Sequence, residues 1–436
     1  MSANDLPAND RIDNASLEQR KQAATPRGVG VLARFYVARA ENAEMWDVEG
    51  NRYIDFGSGI AVVNTGHRHP RVIAAAKQQL DAFTHTAYQV VPYEPYVRLA
   101  ERLNAITPGA HAKKTTFFSA GAEAIENAIK IARGATGRSA IIAFSGAFHG
   151  RTVMCLGLTG KVVPYKAGLG PFPSDIYHVP FPIELHGVAV EDTLRSLDFL
   201  FKADVDPARV AAIIIEPVQG EGGFYVAPPP LMRALREICD RHGILLIADE
   251  IQTGFARTGK MFAMDHYGVI PDIMTMAKGL AGGFPLSAVT GRAEVMDAPV
   301  PGSLGGTFAG SPMSVAAAHA VLDVIEDEKL CERAARLGVT LRERLDTVRS
   351  KVPQIAEVRG LGAMVSIELQ QPGTRAPDPD FTRRVQQRAM EQGLLILTCG
   401  VYANVIRLLM PLTIPEPLFA QGLDILEGSL VQAAQS

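Results

Sequence analysis

The sequence predicts an α/β protein with a mostly parallel sheet covered by helices, followed by a smaller α+β lobe. Between about residues 70 and 310, helical patterns alternate with short apolar runs, which is typical of βαβ folds. Beyond residue 311 the alternation gives way to a long helical stretch, a strand-like run over 358–369 and a terminal helix near 418–432. The length of 436 residues suits an enzyme subunit of two or three lobes.

The individual elements follow from local patterns, taken in chain order. Two short strand-like runs between residues 44 and 56 flank a turn and predict a hairpin. Apolar side chains at helical spacing predict a helix over 123–133 with one buried face. The apolar runs 140–144, 210–215 and 244–250 are typical of strands that are buried on both faces of a parallel sheet.

The same change of pattern gives the domain boundaries that we expect. Residues 1–65 form an N-terminal segment that joins the small lobe, 66–310 form the large lobe, and 311–436 form the small C-terminal lobe. The segment 370–379 is rich in proline and polar residues, so it predicts an exposed loop in the last of these.

Composition excludes several kinds of partner. The 43 Lys and Arg nearly balance the 46 Asp and Glu, and a formal net charge of -3 gives no reason to expect nucleic acid or an anionic membrane. The four cysteines lack the spacing of a zinc site or a disulfide framework, and His67 and His69 are best explained by a polar loop, so we expect no metal. The polar N-terminus lacks a secretory signal, so we expect a cytoplasmic protein that acts on small molecules.

Lys278 is the strongest candidate for chemistry. It stands between an apolar run and a glycine-rich turn, and desolvation there disfavours the ammonium form and leaves an amine able to attack a carbonyl. Asp249 lies at the carboxyl end of a buried strand, where open α/β sheets bind ligands. The pair predicts pyridoxal 5'-phosphate (PLP), with Lys278 on its aldehyde and Asp249 on its pyridinium nitrogen.

Two turns of small residues are candidates for holding a phosphate. Gly121 and Ala122 run directly into a helix N-terminus, where backbone N–H groups and the helix dipole favour an anion. A second turn ends at Thr307, whose hydroxyl is another candidate donor. Phe148 follows a predicted strand and either stacks on the cofactor ring or belongs to the core.

Three charged residues are candidates for recognising a substrate. Arg151 either forms a bidentate pair with a carboxylate or is an ordinary surface arginine. Arg407 lies within an apolar strand-like run, where a charge needs a partner, and Glu221 in a glycine-rich turn is a possible one.

These motifs together resemble the class III, or ω, aminotransferases, and within that family the enzymes acting on 4-aminobutyrate. The resemblance extends from residue 57 through Arg407, and the run 246–254 is highly specific to the family. It implies a PLP-dependent enzyme of fold type I that works as a homodimer, possibly a homotetramer, with Thr307 reaching the phosphate across the interface. Ile251 and Phe148 would then sandwich the ring, and Gln252 would bond its phenolic oxygen.

The resemblance also implies a reaction, the transfer of an amino group from 4-aminobutyrate to 2-oxoglutarate, with Lys278 as the proton-moving base. Arg407 would bind the α-carboxylate of glutamate or 2-oxoglutarate and pair with Glu221 when 4-aminobutyrate is bound. Arg151 would hold the distal carboxylate, and Ile60 would line the pocket. Two alternatives stay open: 5-aminovalerate as the substrate, and a PLP-dependent decarboxylase or aminomutase on the same fold.

Overall fold

The computed structural model describes residues 12–435, which form three sheets and the helices around them. The strands are β1 Val37–Glu41, β2 Glu44–Asp47, β3 Arg52–Asp55, β4 Lys113–Phe118, β5 Ala140–Phe144, β6 Ile176–Val179, β7 Val210–Ile215, β8 Leu245–Asp249, β9 Ile273–Met276, β10 Ser287–Arg292, β11 Ile355–Leu361, β12 Met364–Leu369, β13 Leu394–Leu395, β14 Leu397–Cys399 and β15 Val405–Leu408. The helices are α1 Asn14–Ala24, α2 Ser58–Ala61, α3 Pro70–Ala82, α4 Glu94–Ile106, α5 Gly121–Thr136, α6 Val153–Leu158, α7 Val190–Ala203, α8 Gly220–Gly223, α9 Pro229–His242, α10 Ala293–Met296, α11 Pro312–Asp327, α12 Leu330–Arg349, α13 Pro379–Glu391 and α14 Glu416–Ala434.

The large sheet has seven strands in the order β4-β10-β9-β8-β7-β5-β6. Strand β10 runs antiparallel to both of its neighbours, and the pairings from β9 to β6 are parallel. Strands β5 and β7 are buried at every position, because helices cover both faces of the sheet. The predicted α/β class with a mostly parallel sheet is confirmed.

The N-terminal strands join the end of the chain. The predicted hairpin is confirmed as β2 and β3, and β1 extends it into an antiparallel meander. Strand β13 then adds to β3 in parallel, with Leu394 opposite Ile54. The domain boundaries at residues 65 and 310 stay a prediction.

The third sheet, in the order β11-β12-β15-β14, is antiparallel throughout. The single strand-like run over 358–369 is in fact most of a hairpin, because Gly362 turns the chain between β11 and β12 with φ +51°. A Cβ on Gly362 would lie 2.3 Å from the carbonyl carbon of Thr258, so only glycine fits this turn.

The carboxyl ends of the parallel strands gather the residues expected to carry chemistry. Asp249 ends β8, Lys278 follows β9, and the segment beginning at Phe148 follows β5. Helix α5 begins just after β4 and buries its apolar face, as predicted, against the sheet. Within residues 12–435, no helix is long and apolar enough to cross a membrane.

Candidate active site

A cavity of about 310 Å³ lies at this carboxyl edge of the large sheet. Its wall brings together eight of the residues singled out by the sequence: Gly121, Ala122, Phe148, Glu221, Asp249, Ile251, Gln252 and Lys278. They come from five separate segments of the chain, so the fold converges on one site.

Lys278 occupies this cavity wall in a strained backbone conformation, with φ +47°. Burial lowers the pKa of Lys278 to about 8, although the nearby Glu221 carboxylate opposes the shift. Among the described residues, no group forms a hydrogen bond or ion pair with its amine. The side chain is therefore an available nucleophile near neutral pH.

The lowered pKa predicts how the PLP-free protein reacts with an amine-acylating reagent. Only the neutral amine is acylated, so the labelling rate of Lys278 should rise with pH to a midpoint at about 8, rather than at the ordinary value of 10.5. Peptide mass spectrometry after timed labelling gives the rate, and added PLP should protect Lys278 alone. A midpoint near 10.5 would contradict the assignment.

Asp249, in the cavity wall, is held by three donors. His149 Nδ1 lies 2.7 Å from one carboxylate oxygen, and the other accepts from the Thr275 hydroxyl and the Ile251 amide, each at 3.1 Å. Burial opposes protonation of His149, but its hydrogen bond to Asp249 and the charge of that carboxylate outweigh burial and raise the pKa of His149. This arrangement fixes the orientation of the Asp249 carboxylate in the cavity wall.

A second group of charges surrounds Glu221. Its carboxylate forms an ion pair with Arg407 and accepts a hydrogen bond from the Tyr165 hydroxyl at 3.1 Å. Arg407 is only 5 % exposed and its Nε has no partner among the described residues. Glu221 is therefore the counter-ion of Arg407, as the apolar setting of that arginine predicted.

Glu216 is a further buried carboxyl in the cavity wall. It accepts from the backbone amides of Phe148 and Gly220, each at 2.9 Å. Burial raises the pKa of Glu216 to about 7, and the charge of Asp249 adds to the rise. Sequence reasoning missed Glu216, His149 and Tyr165, because their roles depend on contacts between distant segments.

The start of α5 forms another part of the cavity wall. The N–H groups of Gly121 and Ala122 belong to the first turn of the helix, where no intrahelical acceptor is available. A Cβ on Gly121 would lie 3.1 Å from the Ile251 side chain, so the glycine allows the helix to begin close to it. The turn is thus a backbone cradle suited to a phosphate.

The cavity fits PLP on the chemistry of its donors. A free amine, a fixed carboxylate and a helix N-terminus line it, which matches the aldehyde, the ring nitrogen and the phosphate of that cofactor. Gln252 Oε1 is buried with no partner among the described residues, which leaves an amide available for a polar atom of a ligand. Phe148 and Ile251 supply apolar wall for a ring.

Four predicted site residues do not line the cavity. Arg407 is connected to it by the ion pair with Glu221, and the other three lie elsewhere. Ile60 is 40 % exposed with φ +67°, and Thr307 is exposed in the loop before α11. Arg151 is exposed too, and its guanidinium lies 5.0 Å from the ring centre of Tyr165, which connects it to Glu221. A single subunit therefore does not bring these three residues onto one surface with Lys278.

The two histidines considered for a metal have other neighbours. His67 Nε2 lies 2.8 Å from Asp55, and His69 Nε2 lies 3.1 Å from Glu328. Within the described part of the chain, no group of three or more His, Cys, Asp or Glu residues could hold a metal ion.

An unpaired amine with a lowered pKa, a fixed carboxylate and a phosphate cradle lie together at the edge of a seven-stranded α/β sheet. Together they define a PLP enzyme of the aminotransferase type. Residues 24–430 match the family Aminotransferase class-III, and the chain belongs to this family of PLP-dependent transferases.

Similar proteins support the same assignment. The chain is 53% identical to the 5-aminovalerate aminotransferase DavT of Pseudomonas putida over 421 residues, covering 97% of this chain and 99% of the relative. It is 52% identical to the 4-aminobutyrate aminotransferase GabT of Escherichia coli over 423 residues, with the same coverage of 97% and 99%. Among solved structures, a Bacillus anthracis aminotransferase superposes with a TM-score of 0.90 at 30% identity, covering 98% of this chain and 100% of the other.

Proposed function

We propose that this aminotransferase moves the amino group of 4-aminobutyrate to 2-oxoglutarate, giving succinate semialdehyde and glutamate. The observation that carries the proposal is the buried ion pair of Glu221 and Arg407 beside Lys278. Relatives named for 4-aminobutyrate, at 46–52% identity, support it.

The ion pair answers a problem that the two substrates pose. Glutamate and 2-oxoglutarate carry a carboxylate on the reacting carbon, whereas 4-aminobutyrate carries none there. Arg407 binds this carboxylate when it is present, and Glu221 replaces it when it is absent. Without Glu221, the buried guanidinium would be left unpaired at a cost of about 3–5 kcal/mol.

The other site residues have distinct roles in this proposal. PLP supplies the aldehyde that receives the amino group and a ring that draws off carbanion charge. Lys278 would move a proton from the substrate carbon that bears the amine to the cofactor, and in the opposite direction in the second half-reaction. Asp249 keeps the ring nitrogen protonated.

The cofactor and the distal end of the substrate are held by the remaining residues. The amides of Gly121 and Ala122 bind the phosphate, Phe148 and Ile251 enclose the ring, and Gln252 bonds its phenolic oxygen. Three further residues act at the edge of the site, namely Ile60 as a pocket wall, Arg151 on the distal carboxylate and Thr307 on the phosphate of a partner subunit.

The role of Thr307 requires a homodimer, which we propose together with a cytoplasmic location. Exposed apolar side chains near this loop support the dimer, since Phe308 is 67% and Val300 is 73% exposed in the single subunit. Light scattering on the purified protein measures the mass, and a monomer that retains full activity would rule out the shared site.

5-Aminovalerate is the second candidate substrate. Two relatives named for it are 53% and 55% identical to this chain, whereas relatives named for 4-aminobutyrate are 46–52% identical. One methylene changes specificity by only about 1–3 kcal/mol, so the ratio of the two kcat/KM values decides between them. Release of carbon dioxide, or isomerisation without an amino acceptor, would instead identify a decarboxylase or aminomutase.

The proposed function is tested by separating the two half-reactions. Holoenzyme mixed with 4-aminobutyrate and no keto acid should form succinate semialdehyde in an amount equal to the active sites. Later addition of 2-oxoglutarate should form an equal amount of glutamate. Failure of the first step with both ω-amino acids would overturn the proposal.

Replacing Glu221 by glutamine should slow the 4-aminobutyrate half-reaction more than the glutamate half-reaction. Glutamine fills the same space without the charge, so Arg407 loses its counter-ion when 4-aminobutyrate is bound, and that half-reaction should slow by about 10- to 100-fold. The glutamate half-reaction should slow far less, because the substrate brings its own carboxylate. Stopped-flow rates of each half-reaction measure the difference, with exposed Glu326→Gln as the control. Equal losses would remove the switching role.

A further inference from the structure

Glu221 lies on a very short helical turn, α8, whose backbone is held from outside the turn. The Gly220 amide donates to Glu216 at 2.9 Å, and the carbonyl of Glu221 accepts from the Gly400 amide at 3.0 Å. The last carbonyl of the turn, that of Gly223, faces the small antiparallel sheet. The position of the Glu221 side chain therefore depends on what holds this carbonyl.

A row of three residues across that sheet holds the turn. Arg359 on β11, Ser366 on β12 and Arg407 on β15 are direct cross-strand partners. Arg359 donates to the carbonyl of Gly223 from Nε at 2.9 Å and from Nη2 at 2.6 Å, and Ser366 Oγ lies 3.4 Å from the same oxygen. Arg407 binds the Glu221 carboxylate. These three residues therefore hold both the backbone of α8 and the side chain of Glu221 in place.

Arg359 is itself fixed in place. Its Nη1 lies 2.7 Å from a carboxylate oxygen of Glu368, which is fully buried, and 2.6 Å from Glu357. Its guanidinium lies 3.9 Å from the ring centre of Tyr225, and the Tyr225 hydroxyl donates to Glu368 at 2.7 Å. Arg359 therefore presents a rigid two-donor fork to Gly223.

We propose that Arg359 is a positioning residue that sets the balance between ω-amino acid and α-amino acid substrates. It fixes the backbone of the turn, so that only the Glu221 side chain moves when Arg407 exchanges partners. The ω-amino acid half-reaction needs the Glu221–Arg407 pair re-formed in one geometry. The glutamate half-reaction needs the pair open, so it tolerates a displaced turn. This inference rests on the proposed function.

The test is the Arg359→Lys variant of the holoenzyme. Lysine keeps a positive charge opposite Glu368 but replaces the fork by a single donor centre. We expect the rate of the ω-amino acid half-reaction, relative to the glutamate half-reaction, to fall by about tenfold. The control is Arg336→Lys, the same substitution at an exposed arginine of α12, so its rate ratio should match the wild type.

A change in the ratio of the two half-reaction rates distinguishes a loss of positioning from general destabilisation, because destabilisation would lower both rates together. Ser366→Ala removes the weaker contact to Gly223 and should shift the ratio in the same direction by less, which keeps the test available if Arg359→Lys does not fold. An unchanged ratio in whichever variants fold overturns the inference and leaves the proposed function intact. A wild type that converts glutamate but neither ω-amino acid overturns the proposed function, and the inference with it.

Discussion

The Lys278→Ala variant should lose at least about 10⁴-fold in the rate of both half-reactions, because the proposed mechanism gives this one amine both the nucleophilic and the proton-moving roles. The amine of Lys278 has a pKa of about 8. Among the described residues, no other lysine lines the cavity and could replace it. Single-turnover formation of succinate semialdehyde measures the loss.

Lys260→Ala is the matched control for this variant, because Lys260 is exposed at the surface. It should retain wild-type rates and the visible absorbance of the PLP-loaded enzyme, which Lys278→Ala should lose. Retention of both turnover and this absorbance in Lys278→Ala would remove Lys278 from the mechanism.

The second large effect is expected from Asp249→Asn. Asparagine fits the same space and still accepts hydrogen bonds, but it cannot keep the ring nitrogen protonated, so turnover should fall by about 10²- to 10⁴-fold. His149 would also lose the charge that raises its pKa. The rates of both half-reactions should fall, which distinguishes this variant from Glu221→Gln.

Steady-state kcat/KM for both amino donors, measured on protein with a determined PLP content, tests this expectation. The exposed Asp297→Asn is the control for loss of one negative charge. Full activity of Asp249→Asn at full cofactor occupancy would show that the carboxylate has no electronic role.

Much of the architecture could be predicted from local sequence. The buried strands and the hairpin of β2 and β3 have patterns that depend only on neighbouring residues, and the structure confirms them. The antiparallel course of β10 was not predicted, because its apolar run resembles those of the parallel strands beside it. Strand direction is a property of the connections rather than of the run itself.

The site was predictable where one segment carried its own signal. Lys278 and Asp249 each stand next to an apolar strand, and Arg407 needed a buried partner that proved to be Glu221. His149 gave no such signal, since its pairing with Asp249 joins residues a hundred positions apart. A histidine between a phenylalanine and a glycine has many possible places in a fold.

The parallel pairing of β3 with β13 constrains how the chain folds during its synthesis. One edge of β3 cannot be paired until Leu394 has been made, and translation at about 5–20 residues per second leaves that edge open for tens of seconds. An open strand edge is a template for pairing with other chains. The N-terminal meander therefore has to be shielded in the nascent protein, and a truncated chain ending before β13 should aggregate rather than fold.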